Sequence, residues 1–148
     1  VGTGRNRVDI TYIDNVVHAH LLAAANLAAS STAAGHAFFI GQEEPVALWS
    51  WINELFARLE IPVVRKTVPF PVALAVGAVM EGVYTALGRI DEPRMTRFIA
   101  YQLAKSHWFS HRKAEQLLGY RPVVSTESGL GRLEAWLKNV STSNGHDR

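Results

Sequence analysis

Cysteine is absent from this chain of 148 residues, and so is any block of like charge. Without cysteine there can be no disulfide and no thiolate metal site. The 15 basic and 13 acidic side chains are dispersed, so a nucleic-acid partner is not predicted. The content of 48% hydrophobic and 19% charged residues is that of a globular domain with a core. Only the polar stretch "STSNGHDR", residues 141–148, is predicted to be a disordered tail.

A Gly-rich phosphate-binding loop is also missing. Such a loop follows a strand and opens a helix, whose N-terminal N–H groups then bind the phosphates. The stretch "VGTGRN" has two glycines, but a strand is predicted to follow it. No cofactor-binding residue is therefore predicted. Because the sequence opens inside a glycine-containing loop and not at a methionine, we expect a fragment of a longer protein.

The hydrophobic patterns that are present predict a mixed α/β chain dominated by helices. Period-two alternation or short apolar runs predict strands in "RVDITYID", "HAFFIG" and "VVRKTVP", residues 7–14, 36–41 and 63–69. "HWFS", residues 107–110, is predicted to be extended. Helices are predicted between them, with polar residues as N-caps and a glycine as one terminator. The predicted caps are Asp14, Asp91, Ser110 and Ser125, and the predicted terminator is Gly119.

Three stretches carry a family resemblance: "VDITYIDNVVHAHLLAA", "GQEEPVALWSWINEL", and "RKAEQLLGYRP" followed by "SGLGRLEAWL". Together they resemble the C-terminal half of extended short-chain dehydrogenases, and within that group the 3β-hydroxysteroid dehydrogenase/isomerase family. That family includes sterol dehydrogenases and reductases of 2-alkyl-3-oxoalkanoates. The resemblance implies that residues 1–140 form the substrate-binding portion of a Rossmann-type enzyme, without the Gly-rich half.

The resemblance also implies a division of labour. NAD or NADP, the Gly-rich loop and the catalytic Tyr and Lys would belong to the missing Rossmann half of the parent enzyme. No catalytic residue is therefore predicted in this chain, which alone should be inactive. The parent would oxidise or reduce the 3-hydroxy or 3-keto group of a steroid or long-chain lipid. We expect it to be cytoplasmic, with membrane association as an open alternative.

The stretch "YQLAK" has the Tyr-to-Lys spacing of the short-chain dehydrogenase active site. So short a pattern often arises by chance, and geometry identifies a site better than spacing. In the resembled proteins this stretch lies far from the nicotinamide. We therefore interpret Tyr101 as a packing residue and Lys105 as a cation near a helix C-terminus, where positive charge is favoured.

Tyr12 and Asn15 are the predicted substrate-binding residues, because the strand and helix start that carry them lie at the cleft of the resembled fold. Val8 stands where nucleotide-sugar relatives often carry an arginine for the diphosphate, and this difference favours an apolar substrate. No metal site is predicted, since His18 and His20 lie two positions apart on a helix and point to different faces.

Val68 to Met80 form a charge-free stretch that is too short to span a bilayer. A helix that is apolar on every side must be buried, dock on a partner or lie in a membrane surface. A homodimer contact and a peripheral membrane contact both stay open here. A nucleotide-sugar epimerase or dehydratase fragment and a flavonoid-type reductase fragment are alternative functions, and a non-catalytic lipid- or membrane-docking module is a third.

Overall fold

This computed structural model describes residues 1–143, with side chains described as far as Val140. These residues contain six helices and one very small sheet, joined by loops. The helices are α1 (Ile13–Ala29), α2 (Leu48–Arg58), α3 (Phe70–Ala86), α4 (Arg97–Ala104), α5 (Arg112–Leu118) and α6 (Thr126–Ser143). The strands β1 (Arg7–Val8) and β2 (Val46–Ala47) pair antiparallel, with Val8 opposite Val46. The prediction of a helix-dominated α/β chain is confirmed.

The predicted strands are mostly wrong. The first ends at Val8, and neither residues 36–41 nor residues 63–69 form a strand. A strand needs a neighbour for its N–H and C=O groups. After Val8 the backbone uses side chains instead: the N–H of Tyr12 donates to Oε1 of Gln42 at 3.3 Å. His107, in the stretch predicted to be extended, forms a single parallel bridge with Val8.

Two of the predicted helix ends are confirmed. Gly119 ends α5 in the left-handed conformation, with φ of 66°. Its N–H donates to the carbonyl of Glu115, and the N–H of Tyr120 donates to that of Ala114, which satisfies the last carbonyls of the helix. Ser125 precedes α6, and its hydroxyl accepts from the N–H of Ser128 at 3.2 Å.

The caps predicted at Asp14 and Asp91 are wrong, and the one at Ser110 is displaced by one residue. Helix α1 begins one residue before Asp14, with Tyr12 at the N-cap and no side-chain cap. Helix α4 begins well after Asp91, and its N-cap is Thr96, whose hydroxyl accepts from the N–H of Ile99 at 3.1 Å. The N-cap position of α5 is His111, the residue after Ser110, but the hydroxyl of Ser110 still accepts from the N–H of Arg112 at 3.3 Å.

Helix α5 packs on α1 to form the main core. The buried residues of this cluster are Ala19, Ala33, Ala114, Leu118 and Tyr120. Tyr120 is fully buried, and its hydroxyl donates to the carbonyl of Gly41 at 2.8 Å. Since the buried hydroxyl has a partner, the large aromatic side chain adds apolar contact without an unsatisfied polar group.

The apolar helix α3 forms a second layer with α4. Ala73 and Gly77 are its buried residues. A Cβ on Gly77 would lie 2.7 Å from backbone atoms of Thr96 and Arg97, so the two helices touch through main chain. An adjoining face of α3 is open, because Val72, Val76, Val79 and Val83 are all exposed.

The predicted boundary between domain and tail at residue 140 stays a prediction. Helix α6 continues to Ser143. The rest of the predicted disordered tail, residues 144–148, lies outside the described residues.

Candidate functional site

An apolar cavity of about 470 Å³ lies between the start of α1, helix α2 and helix α6. Its size is within the range of small-molecule sites, about 300–1,000 Å³. Residues 10–13 form one wall, Trp51 of α2 a second and α6 a third. The lining residues are Ile10, Thr11, Tyr12, Ile13, Gln42, Trp51, Thr126, Gly129, Leu130, Arg132, Leu133 and Trp136.

Helical spacing explains the α6 wall. Gly129, Leu133 and Trp136 lie three or four positions apart, so they share one face of the helix. Gly129 also lets the ring of Tyr12 approach: a Cβ there would lie 3.1 Å from Cδ2 of that ring. Trp136 is 60% exposed and therefore lies at the rim of the cavity.

Arg132 is the one charged residue among the described residues that line the cavity. Its Nη1 donates to Oδ2 of Asp14 at 2.8 Å, and its guanidinium lies over the ring of Tyr12, 5.4 Å from the centroid. Both contacts hold the guanidinium beside the cavity wall. The side chains of Arg132 and Asp14 are about half exposed, at 54% and 51%, so the pair contributes little to stability.

Asn15 lies behind this wall and is fully buried. Its amide Nδ2 donates to Oε1 of Gln42 and, at 2.8 Å, to the carbonyl of Val124. Its Oδ1 accepts from the N–H groups of Val123 and Val124 at 2.8 and 2.9 Å. All four hydrogen-bonding positions of the amide are thus occupied within the chain. Asn15 ties α1 to the segment before α6, and it holds Gln42 in the lining.

Ion pairs join α2 to α6, two of the elements that surround the cavity. Arg58 of α2 contacts Glu127 at 2.6 Å and Glu134 at 3.8 Å, both on α6, as well as Glu54 of its own helix at 2.5 Å. The hydrogen bonds with Glu127 and then Glu54 raise the pKa of Arg58. The guanidinium therefore stays charged, and its role is to orient the two helices.

Glu43 lies at the N-terminus of α6. Its carboxylate accepts from the hydroxyl of Thr126 at 2.9 Å and from the N–H of the same residue at 3.3 Å. Burial alone would raise the pKa of Glu43, but hydrogen bonds from its own backbone and from Thr126 outweigh it and lower the pKa. A carboxylate at this place also suits the helix dipole.

Among residues 1–143, no group of three or more His, Asp or Glu side chains is placed to hold a metal ion. Over the same residues, none of the helices has the length and hydropathy that crossing a bilayer requires.

Comparison with known proteins shows which sequences this chain resembles. The sequence model described as the 3-beta hydroxysteroid dehydrogenase/isomerase family matches residues 1–72. The chain is related to that family. It is 44% identical over 135 residues to a 2-alkyl-3-oxoalkanoate reductase of Stenotrophomonas maltophilia, covering 91% of this chain and 41% of that protein. The Shewanella oneidensis reductase of the same name is 44% identical over 138 residues, covering 93% of this chain and 36% of that protein.

A sterol-4-alpha-carboxylate 3-dehydrogenase, decarboxylating, of Schizosaccharomyces pombe is 34% identical over 139 residues, covering 93% of this chain and 40% of that protein. The chain thus spans about two fifths of the length of these curated members. No solved structure is similar to it at a significant level. The relatives are reductases and dehydrogenases by name, and the predicted resemblance to the 3β-hydroxysteroid dehydrogenase family is confirmed.

Of the two predicted substrate-binding residues, Tyr12 lines the cavity. Asn15 is one layer behind, with its polar groups occupied. Substrate contact stays a prediction for both. Val8 is buried in β1 and is not among the residues that line the cavity, so its side chain does not shape this cavity directly.

The "YQLAK" stretch lies on α4, away from the cavity. Tyr101 contacts the ring of Phe70 edge-to-face, with centroids 5.0 Å apart. Lys105 is the C-cap of α4, and its Nζ lies 5.0 Å from the same ring centroid. Tyr101 therefore packs on Phe70 with one side while 48% of it stays exposed, and Lys105 is a cation at the end of a helix, as interpreted from the sequence.

Gln42, Trp51 and Arg132 were not predicted from the sequence. Trp51 and Arg132 fit ordinary helix patterns, and nothing local signals that they meet at one cavity. Gln42 lies in a loop whose path depends on Asn15. The only local signal was weak: two tryptophans, Trp51 and Trp136, lie on predicted helices.

Proposed function

We propose that this chain forms the substrate-binding part of an NAD(P)-dependent oxidoreductase that acts on the 3-hydroxy or 3-keto group of a steroid or long-chain lipid. The observation that carries the proposal is the cavity between α1, α2 and α6. Its lining is aromatic and aliphatic apart from a few polar groups, as expected of a site for a largely apolar molecule. The kinship with reductases and dehydrogenases supplies the reaction class.

The names of the relatives narrow the substrate further. A 2-alkyl-3-oxoalkanoate has an oxo group at C3, an alkyl branch at C2 and a carboxylate at C1. A sterol-4-alpha-carboxylate has its carboxylate on C4, beside the C3 that the dehydrogenase oxidises. We infer for this chain a substrate with a large apolar body and oxygen at C3.

The dinucleotide does not fit the described residues. Gly2 and Gly4 both have positive φ, but the segment after them enters β1 and not a helix. Since no helix N-terminus opens there, the pyrophosphate has no set of free N–H groups to bind. We therefore assign the cofactor and the catalytic Tyr and Lys to another part of the parent enzyme, and we expect this chain alone to be inactive.

Two exposed apolar surfaces support a role as part of a larger assembly. Ile13, Val17 and Leu21 lie four positions apart along α1 and are 62%, 51% and 65% exposed. We propose that this stripe packs on the Rossmann half of the parent. The exposed valines of α3 would form a second contact, either with a second copy of the chain or with a membrane surface. In the second case the protein would be cytoplasmic and bound peripherally to the membrane.

Nucleotide-sugar chemistry is less well supported. A diphosphate needs several donors or cations, whereas the described residues of the cavity lining include a single charged side chain, Arg132. The apolar walls favour lipid over sugar.

Ligand binding tests the proposal. The 148-residue chain is titrated with 1-dodecanol, and binding is followed by the fluorescence of its tryptophans, two of which line the cavity. Leu133→Asp places a carboxylate in the apolar wall and should weaken binding about tenfold or more, because a charge beside apolar ligand atoms is poorly solvated. Leu87→Asp, at a site 67% exposed and outside the lining, is the matched control and should change nothing.

A chain that does not bind 1-dodecanol, or a Leu133→Asp variant that binds as well as the unaltered chain, would contradict the proposal. Calorimetric titration with NAD and NADP accompanies the test. Micromolar binding of either dinucleotide would show that this chain holds the cofactor itself.

A further inference from the structure

An apolar cavity for a lipid does not need a guanidinium in its wall, yet Arg132 is there. We propose that Arg132 binds a carboxylate of the ligand, so that the cavity selects lipid acids over neutral lipids of the same length. This inference rests on the proposed function, because it requires that an apolar ligand occupies the cavity. It adds one specificity-determining residue and one chemical group to that ligand.

The donors of Arg132 are available for this role. A guanidinium has five N–H donors in a planar fork that matches the two oxygens of a carboxylate. The hydrogen bond from Nη1 to Asp14 uses one of them. The side chain is about half exposed, so the remaining donors can reach a ligand.

The guanidinium is also held in place before any ligand arrives. The Tyr12 ring supports one face, at 5.4 Å, and Asp14 fixes one edge. Tyr12 in turn packs on Gly129, where no side chain intervenes. Because the fork is already oriented, a carboxylate that binds to it does not have to order a free arginine side chain.

Asp14 is the competitor that makes the role of Arg132 testable in both directions. Its carboxylate occupies the guanidinium in the absence of ligand and partly neutralises its charge. A ligand carboxylate must share the guanidinium with Asp14 and is repelled by it. Removal of the Asp14 charge should therefore strengthen the binding of an acid, while removal of the Arg132 charge should weaken it.

The experiment compares dodecanoic acid with 1-dodecanol, which have the same chain length and differ at the head group. Both are titrated by calorimetry at about pH 8, where the acid is ionised. In Arg132→Gln the affinity for the acid should fall about tenfold or more, the loss expected for a hydrogen bond to a charged group. The affinity for the alcohol should change by less than about twofold, since its apolar contacts are intact.

Two further variants complete the set. Arg121→Gln removes the same charge from a side chain that is 83% exposed and does not line the cavity, and it should leave the affinity for the acid unchanged. Asp14→Asn should raise the affinity for the acid several-fold and leave the affinity for the alcohol unchanged. Circular dichroism verifies that each variant is folded. If Arg132→Gln does not fold, the acid-to-alcohol comparison in Asp14→Asn decides the question.

The outcomes separate the two proposals. If neither ligand binds the unaltered chain, the lipid cavity itself is wrong and the carboxylate inference falls with it. If both ligands bind but Arg132→Gln and Asp14→Asn change the affinities for acid and alcohol equally, the lipid cavity is supported and the role of Arg132 is overturned. Opposite shifts of acid affinity in the two variants, with constant alcohol affinity, would establish it.

Discussion

Replacement of Asn15 by alanine should be among the most destabilising single changes in this chain. The side chain is fully buried and makes four hydrogen bonds, which join α1 to Gln42 and to the backbone of Val123 and Val124. The alanine variant keeps the helix, because alanine has the best helix propensity. The loss therefore reports the buried hydrogen bonds.

The size of the stability loss depends on which former partners of Asn15 are left without a hydrogen bond. The carbonyl of Val124 still accepts from Nε2 of Gln42 at 3.1 Å, and Oε1 of Gln42 still accepts from the N–H of Tyr12. The N–H of buried Val124 is left unsatisfied, at a cost of about 1–3 kcal/mol. The N–H of Val123, a residue 61% exposed, can reach water and should cost less. We expect a total of about 2–4 kcal/mol in the free energy of unfolding.

Urea denaturation followed by far-ultraviolet circular dichroism measures this loss. For a slope of about 2 kcal/mol per molar urea, the midpoint should fall by roughly 1–2 M. Asn53→Ala is the matched control: Asn53 also bonds both backbone groups of one residue, Val64, but at the surface, where water can replace it. It should cost less than about 1 kcal/mol. Equal losses in the two variants would refute the argument that burial of the Asn15 bonds makes them important.

Two further predictions concern the α3–α4 pair. Gly77→Ala should destabilise the chain by about 1–3 kcal/mol, because the new Cβ would lie 2.7 Å from the backbone of Thr96 and Arg97. The control Gly82→Ala, on the same helix, places its Cβ in open space and should stabilise the chain by about 0.5–1 kcal/mol. Equal urea midpoints for the two variants would contradict the close contact at Gly77. Hydrogen bonds from the Arg97 backbone and then its side chain lower the pKa of Glu81 from its usual value, so the free energy of unfolding should decrease as the pH falls through the acidic range in which Glu81 is protonated. Glu81→Gln should make this decrease smaller. If the free energy of unfolding of the variant falls as steeply between about pH 6 and pH 3 as that of the unaltered chain, the contact is not coupled to folding.

The sequence was a good guide where a feature depends on neighbouring residues. Gly119 and Ser125 were predicted as a helix stop and a helix cap, because both act on groups within a few positions of themselves. The rule fails where several candidates compete. Thr96 caps α4 in place of Asp91, and Asp14 is engaged by Arg132 from the opposite end of the chain.

Features that depend on distant residues were not predictable. Residues 7–14 do alternate between apolar and polar side chains, but a strand also requires a partner strand. The described residues supply only β2 and the single bridge to His107. The cavity has the same origin. Each lining residue looks ordinary in its own element, and only tertiary packing brings Tyr12, Trp51 and Arg132 together.

The contact between Asp14 and Arg132 joins residues 118 positions apart, and Asn15 is 109 positions from Val124. In contrast, α3 and α4 are neighbours in the chain. Local contacts form quickly, whereas contacts between distant residues require the closure of long loops and form slowly. The α3–α4 pair should therefore be an early folding unit and the cavity a late one. During synthesis, Arg132 is the 118th residue that the ribosome adds after Asp14, so the two walls of the binding site can meet only after this long stretch has been translated.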